Sequence, residues 1–256
     1  MKLGVIQGRL SKPVDGKIQE FPKETWENEF SLLRELNLNH IEWIITKDSF
    51  YDGITNLDIK KYSKDVSSIC CDHIIDEKIS ELDFLYENLS PICDWAEKNN
   101  IFSITIPLLE ESKITENNKK KLFENLILFS NNHQNMNFNF EIESDIFTCL
   151  ELVKQTNNFF LVCDTGNLTS CGYSVCDWIS NGFDYIRHIH LKDKTIQPPK
   201  TVEPNNGDTE FKKIFDLLNK KNYNYYYTIQ TCRGSYGKET ETIKRHIKIL
   251  NDLYGT

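Results

Sequence analysis

Four β-rich runs in this chain finish on side chains that can hold a cation or carry a proton. "FNFEIE" ends in Glu143, "FFLVCD" in Asp164, "YIRHIHL" carries His190 and "YYYTIQ" ends in Gln230. Three further runs do something similar. "LGVIQ" delivers Gln7 with Gly8 and Arg9 behind it, "HIEWII" carries Glu42, and "VSSICC" is followed by Asp72 and His73. Carboxylate, imidazole and amide groups at the ends of apolar strands are costly to bury unless something pairs with them. Brought to one place, they call for a divalent cation.

The elements that would position these groups alternate. Between the short runs lie amphipathic helical patterns such as "KETWENEFSLLRELN", "ISELDFLYENLSPICDWAEKNN", "TENNKKKLFENLILFSNNH" and "DTEFKKIFDLLNKKN", and "ETETIKRHIKILNDLYG" follows the last strand. Eight strands (the seven above and "FSITIP") alternating with eight helices predict one closed parallel (β/α)8 TIM barrel over residues 1–256. A doubly wound open sheet is the competing fold, but neither G-x-G-x-x-G nor a P-loop follows the first strand. In a barrel the chemistry sits at the C-terminal strand ends. Strand alternation puts Asn139, Glu141 and Glu143 on one face, and His188 with His190 on another. Glu143 is preferred to Glu141 because it lies at the strand end.

Composition narrows the partners. With 256 residues, 39% hydrophobic, the chain can build a large core, and its net charge of −8 argues against nucleic acid and anionic membrane. "MKLGVIQGRLSK" lacks the apolar centre of a signal peptide, and no run reaches membrane-spanning length. A cytoplasmic protein is expected. The eight cysteines form no C-x-x-C pair, so small buried hydrophobes are the expectation.

The ordered set "GVIQGRLSKPVDGKIQEFPKETWENEF", "IEWI", "EIESD", "CDTGN", "HIHLKD" and "IQTCRG" resembles the sugar phosphate isomerase/epimerase family with its xylose isomerase-like barrel. The resemblance covers nearly the whole chain. It implies one divalent metal on four strand-end residues, here Glu143, Asp164, His190 and Gln230. Oxygen-rich ligation with one imidazole suits manganese first, with magnesium, cobalt or zinc as alternatives. The family's well-known epimerases have a glutamate at the last position, where it also handles a proton. Gln230 keeps a carbonyl oxygen for a hard cation but cannot transfer a proton.

Further candidates surround that set. Glu143, Glu42 and Lys192 are candidate proton carriers, with Asp193 a candidate orienter of His190. Gln7, Arg9, His73 and Arg233 are candidate substrate contacts, the two guanidiniums suiting a phosphate or carboxylate. Surface salt bridges for the arginines and structural roles for His73 and His188 are the plainer readings. Residues 194–211, "KTIQPPKTVEPNNGDTEF", form a long loop that could cover the site or merely edge it. The expected function is metal-dependent sugar or sugar phosphate isomerisation or epimerisation by α-proton abstraction through an enediolate. The alternatives are a dehydratase of inosose dehydratase type and a non-catalytic metal- and sugar-binding barrel. A nuclease on this barrel would need more histidine and carboxylate ligands and a basic surface. A homodimer is permitted by aromatics such as Trp43 and Trp178.

Overall fold

The computed structural model describes residues 1–255. The strands are β1 (Lys2–Ile6), β2 (Ile41–Ile44), β3 (Val66–Cys70), β4 (Ser103–Leu108), β5 (Asn137–Ile142), β6 (Phe159–Asp164), β7 (Ile186–Leu191), β8 (Asp193–Thr195), β9 (Lys200–Val202) and β10 (Tyr226–Ile229). Eight of them close into a barrel in the order β1-β10-β7-β6-β5-β4-β3-β2, as the alternating pattern predicts. The other two, β8 and β9, pair antiparallel inside the stretch that reads as a loop. Three residues per strand is too short for an alternation signal, so the hairpin is invisible in the sequence.

The helices are α1 (Trp26–Glu35), α2 (Lys47–Tyr51), α3 (Leu82–Lys98), α4 (Lys119–Asn131), α5 (Ile146–Val153), α6 (Thr165–Ser170), α7 (Val175–Gly182), α8 (Phe211–Lys220) and α9 (Glu239–Gly255). In α8 the spacing of Phe211, Ile214, Phe215 and Leu218 makes one apolar stripe, and all four are buried. Each contributes about 2 kcal/mol of apolar burial. Cys70, Cys71, Cys93, Cys149 and Cys163 lie in the core as small hydrophobes. Trp43 and Trp178 are also buried, so neither offers the aromatic surface expected for a dimer contact. Among the described residues no helix is long and apolar enough to cross a membrane.

Backbone contacts gather into two units, Met1–Ile41 with Cys163–Thr256, and Glu42–Val162. In the first, β1, β10 and β7 run parallel, with Gly4 opposite Thr228 and Thr228 opposite His190. Tyr227 packs on Phe215 of α8 and Tyr254 of α9, which turns its neighbours Thr228 and Gln230 to the other face. The backbone N–H of Gln230 donates to Leu191 O at 3.1 Å, carrying the ladder one residue past β10.

In the second unit Cys70 pairs with Thr105, Thr105 with Asn139, and Pro107 with Glu141, which in turn faces Val162. Phe138 and Phe140 pack against Phe159, and Phe138 also against Phe129 of α4. That apolar side fixes Asn139 and Glu141 on the opposite face.

Candidate metal centre

The motif "CDTGN" shapes one wall of the site. β6 ends on Asp164, whose Oδ1 accepts from the Asn167 N–H at 2.8 Å and so caps α6. Its Oδ2 lies 2.6 Å from Lys192 Nζ, in a pair whose carboxylate side is only 2% exposed. Burial pushes the Asp164 pKa up. The Lys192 ammonium, His190 and the Asn167 amide outweigh it, and the net shift is downward. Thr165 Oγ1 donates to Lys192 O at 2.7 Å. Gly166 lets Lys192 close in, since a Cβ there would stand 2.9 Å from both Lys192 Cγ and Lys192 O. Beside this wall, His190 comes from β7 and is fully buried. Gln230 is 4% exposed, and its Oε1 is a buried acceptor with no hydrogen-bond partner. Such an atom costs on the order of 1–3 kcal/mol unless a ligand meets it.

Glu141 is 4% exposed, whereas Glu143 is exposed and lies past the last residue of β5. The carboxylate grouped with Asp164 and His190 is thus that of Glu141, where the sequence reading preferred Glu143. Alternation holds only while the strand continues, and after Ile142 the chain turns into Asp145, whose carboxylate accepts from Phe147 N and Thr148 N to cap α5. Glu42 lies inside β2 rather than at its end, fully buried, and its Oε1 accepts from the Thr105 hydroxyl at 2.8 Å. The Thr105 hydroxyl also meets Ser68 Oγ at 2.9 Å. Both Glu42 and Glu141 bear electrostatically on the buried Cys70 thiol, although burial contributes most to its raised pKa. His73 belongs elsewhere. It stacks on Phe50 with ring centroids 4.5 Å apart, and its Nε2 lies 3.3 Å from Asn88 O on α3. Burial pulls its pKa down to about 4, so it is neutral.

Glu141, Asp164 and His190 each offer one ligand atom, all within 4.8 Å of one another, and all three residues are buried. The donor set fits a divalent cation. Two carboxylates, one imidazole and the orphaned Gln230 oxygen supply three hard oxygens and one nitrogen with a total charge of −2. The Lys192 ammonium already occupies a cation's place against Asp164.

Arg9 and Arg233, candidate substrate contacts by their type, give donors to backbone carbonyls. Arg9 is 4% exposed; its Nε donates to Thr231 O at 3.2 Å and its Nη1 to Ile18 O. Arg233 donates from Nε to Ile18 O, from Nη1 to Ser11 O and from Nη2 to Gly8 O at 2.8, 3.1 and 2.9 Å. Arg233 gives its donors to carbonyls of the segment after β1, and Arg9 reaches Thr231 O after β10, so the pair staples the two segments together. Gln7, at the end of β1, is fully buried. Asp193 likewise turns out to hold backbone rather than His190. It accepts from the N–H groups of Asn206, Gly207 and Thr209, which ties down the segment after the hairpin.

Two residues escaped the sequence reading altogether. Glu29 in α1 accepts from Gly8 N and Leu10 N, and burial, opposed by those bonds, lifts its pKa to about 7. His246 in α9 touches Thr231 next to Gln230. Neither carries a local signal, because both sit among charged residues of amphipathic helices.

Residues 73–253 match a family model described as a xylose isomerase-like TIM barrel. An inosose dehydratase of Clostridium tetani (strain Massachusetts / E88) is 25% identical over 182 residues, 59% of this chain and 61% of that protein. The match thus spans less than two thirds of that relative's length. Among solved structures, the IolI protein with a bound zinc atom superposes with a TM-score of 0.77 at 14% identity, covering 100% of this chain and 98% of that one. An L-ribulose 3-epimerase superposes at 0.73 and 13% identity, covering 99% and 94%. At such identities the structural likeness speaks for the fold.

Proposed function

The chain belongs to the xylose isomerase-like TIM-barrel family, and on that premise we propose that it is a metal-dependent enzyme that removes an α-proton from a small sugar or cyclic polyol ketone. The observation that carries this reading is the meeting of ligand atoms from Glu141, Asp164 and His190 within 4.8 Å. Gln230, whose backbone is bonded to Leu191 of β7, adds a buried side-chain oxygen with no hydrogen-bond partner. These four residues would hold one divalent ion, with manganese, magnesium, cobalt and zinc all suited to the donors. When bound, the ion supplies a Lewis acid that polarises a carbonyl and stabilises the charge of an enediolate. Glu141 takes the α-proton, and Lys192 Nζ holds a proton for return or for a departing hydroxyl. Glu42, bonded to Thr105, serves as the reserve carboxylate deeper in the strand layer.

Returning the proton to the neighbouring carbon gives an isomer, and returning it to the opposite face of the same carbon gives an epimer. Loss of a β-hydroxyl gives dehydration. That second reading is favoured by two observations: an amide at position 230 leaves no second carboxylate there for two-base epimerisation, and the Clostridium tetani relative is an inosose dehydratase.

Two measurements test the proposal. Elemental mass spectrometry should find about one divalent ion per chain, lost in Glu141→Gln and kept in Glu143→Gln. Incubation with candidate ketoses and inososes in D2O should then introduce one deuterium at the α-carbon or release water. An empty wild type, or equal metal content in the two glutamate variants, would refute the site.

A further inference from the structure

Past β10 the chain enters Thr231, which is fully buried and held from two directions. Its carbonyl accepts from Arg9 Nε at 3.2 Å, and its hydroxyl lies 2.7 Å from His246 Nδ1. His246 is itself fully buried in α9. Its Nε2 faces Glu203 Oε1 at 3.7 Å, and Glu203 also accepts from Arg245 Nη2. Glu203 follows directly on β9, so the chain of contacts runs from the β8–β9 hairpin through one imidazole to the residue beside Gln230. The close approach of α9 depends on Gly234, where a Cβ would stand 2.0 Å from Thr242 Oγ1.

Burial lowers the His246 pKa, with Glu203 opposing and Arg245 reinforcing the shift, so the ring is neutral at pH 7. A neutral ring has one N–H. With the Glu203 carboxylate on the Nε2 side, the proton belongs on Nε2, and the Thr231 hydroxyl donates to Nδ1. The arrangement holds Thr231 by its hydroxyl and by its carbonyl. Gln230 has no anchor for its own side-chain oxygen, so its aim depends on that neighbour.

We propose that His246 is a positioning residue for Gln230, acting through Thr231, and that it couples this ligand to the β8–β9 hairpin through Glu203. Its bearing on a cation rests on the metal-site reading above. Outer-sphere partners of ligands commonly change affinity by about 10–100-fold. Asparagine places an amide oxygen near the Nδ1 position, whereas glutamine places one near Nε2, so His246→Asn should preserve the Thr231 contact and His246→Gln should lose it.

The test measures Mn2+ affinity by calorimetry and backbone hydrogen exchange of residues 226–234 in the metal-free protein. His246→Gln should bind Mn2+ about tenfold more weakly and exchange faster at 230–234, while His246→Asn stays within about threefold of wild type. Added to Gln230→Ala, His246→Gln should cost nothing further, because its effect passes through that side chain. Glu203→Gln, on a half-buried side chain, gives a folded second variant expected to lose about threefold. Equal affinity in wild type and His246→Gln, or full additivity with Gln230→Ala, overturns the proposal. If wild-type protein binds no Mn2+, the metal-site reading fails on its own, and the exchange arm decides. Unchanged protection at 230–234 in His246→Gln then overturns the tie, and faster exchange there sustains it.

Discussion

Replacing Lys192 by methionine tests the electrostatics at their most buried point. The ammonium lies 2.6 Å from Asp164 Oδ2, with the two side chains 15% and 2% exposed. Removing one partner of such a pair leaves a carboxylate that water cannot reach, and costs about 3–5 kcal/mol. For a chain of this size that corresponds to a melting temperature lower by roughly 6–20 °C in metal-free protein. The deficit should shrink with acid. In wild type the folded-state Asp164 pKa is lowered, so its contribution is present at neutral pH and lost as the pH falls through that value. Without Lys192 burial dominates, the folded pKa rises above the unfolded one, and the penalty is relieved once the carboxyl protonates. A divalent ion should relieve it too, because the ion takes the position of the missing charge. In excess Mn2+ the two proteins should melt within a few degrees of each other, which requires Lys192→Met to bind Mn2+ roughly 100-fold more tightly. Thermal unfolding by circular dichroism at pH 5 and 7.5, with chelator and with Mn2+, reads all four states. A deficit below about 1 kcal/mol without metal, or an equal deficit with and without Mn2+, would refute the reasoning.

Two other outcomes concern the turn after β1. Glu29 binds its proton more tightly in the fold, at about 7 against an ordinary 4.5, so native protein holds the extra proton between those values and stability should fall as pH rises through them. The loss should approach about 3 kcal/mol by pH 9 and disappear in Glu29→Gln, measured by urea unfolding across that range. Arg233→Ala removes three bonds to backbone carbonyls. It should cost about 2–4 kcal/mol in urea unfolding while leaving metal content at the wild-type level.

Much of this was open to a reader of the sequence. Alternation of β-rich runs with amphipathic segments determines a barrel because a parallel strand needs a crossover, and an apolar helix stripe such as that of α8 needs a sheet to cover it. Strand-end chemistry follows from the same logic, and it singles out Asp164, His190 and Gln230 as candidates, all three of which are buried. What the sequence left open was where alternation stops. Glu141 and Glu143 share a parity, and only the end of β5 at Ile142 separates a buried carboxylate from an exposed one on the approach to α5. The fate of charged donors was equally hidden. Arg9 and Arg233 read equally as anion contacts or surface salt bridges, and nothing in the sequence signals that the Gly8, Ser11, Ile18 and Thr231 carbonyls take their donors. Glu29 and His246 are ordinary polar letters on helix faces until packing removes water from them. Periodicity is a property of neighbours along the chain and can be read directly. Desolvation, hydrogen-bond partners and the shifted pKa values they cause depend on residues as far as 225 positions away, and only the closed barrel brings those together.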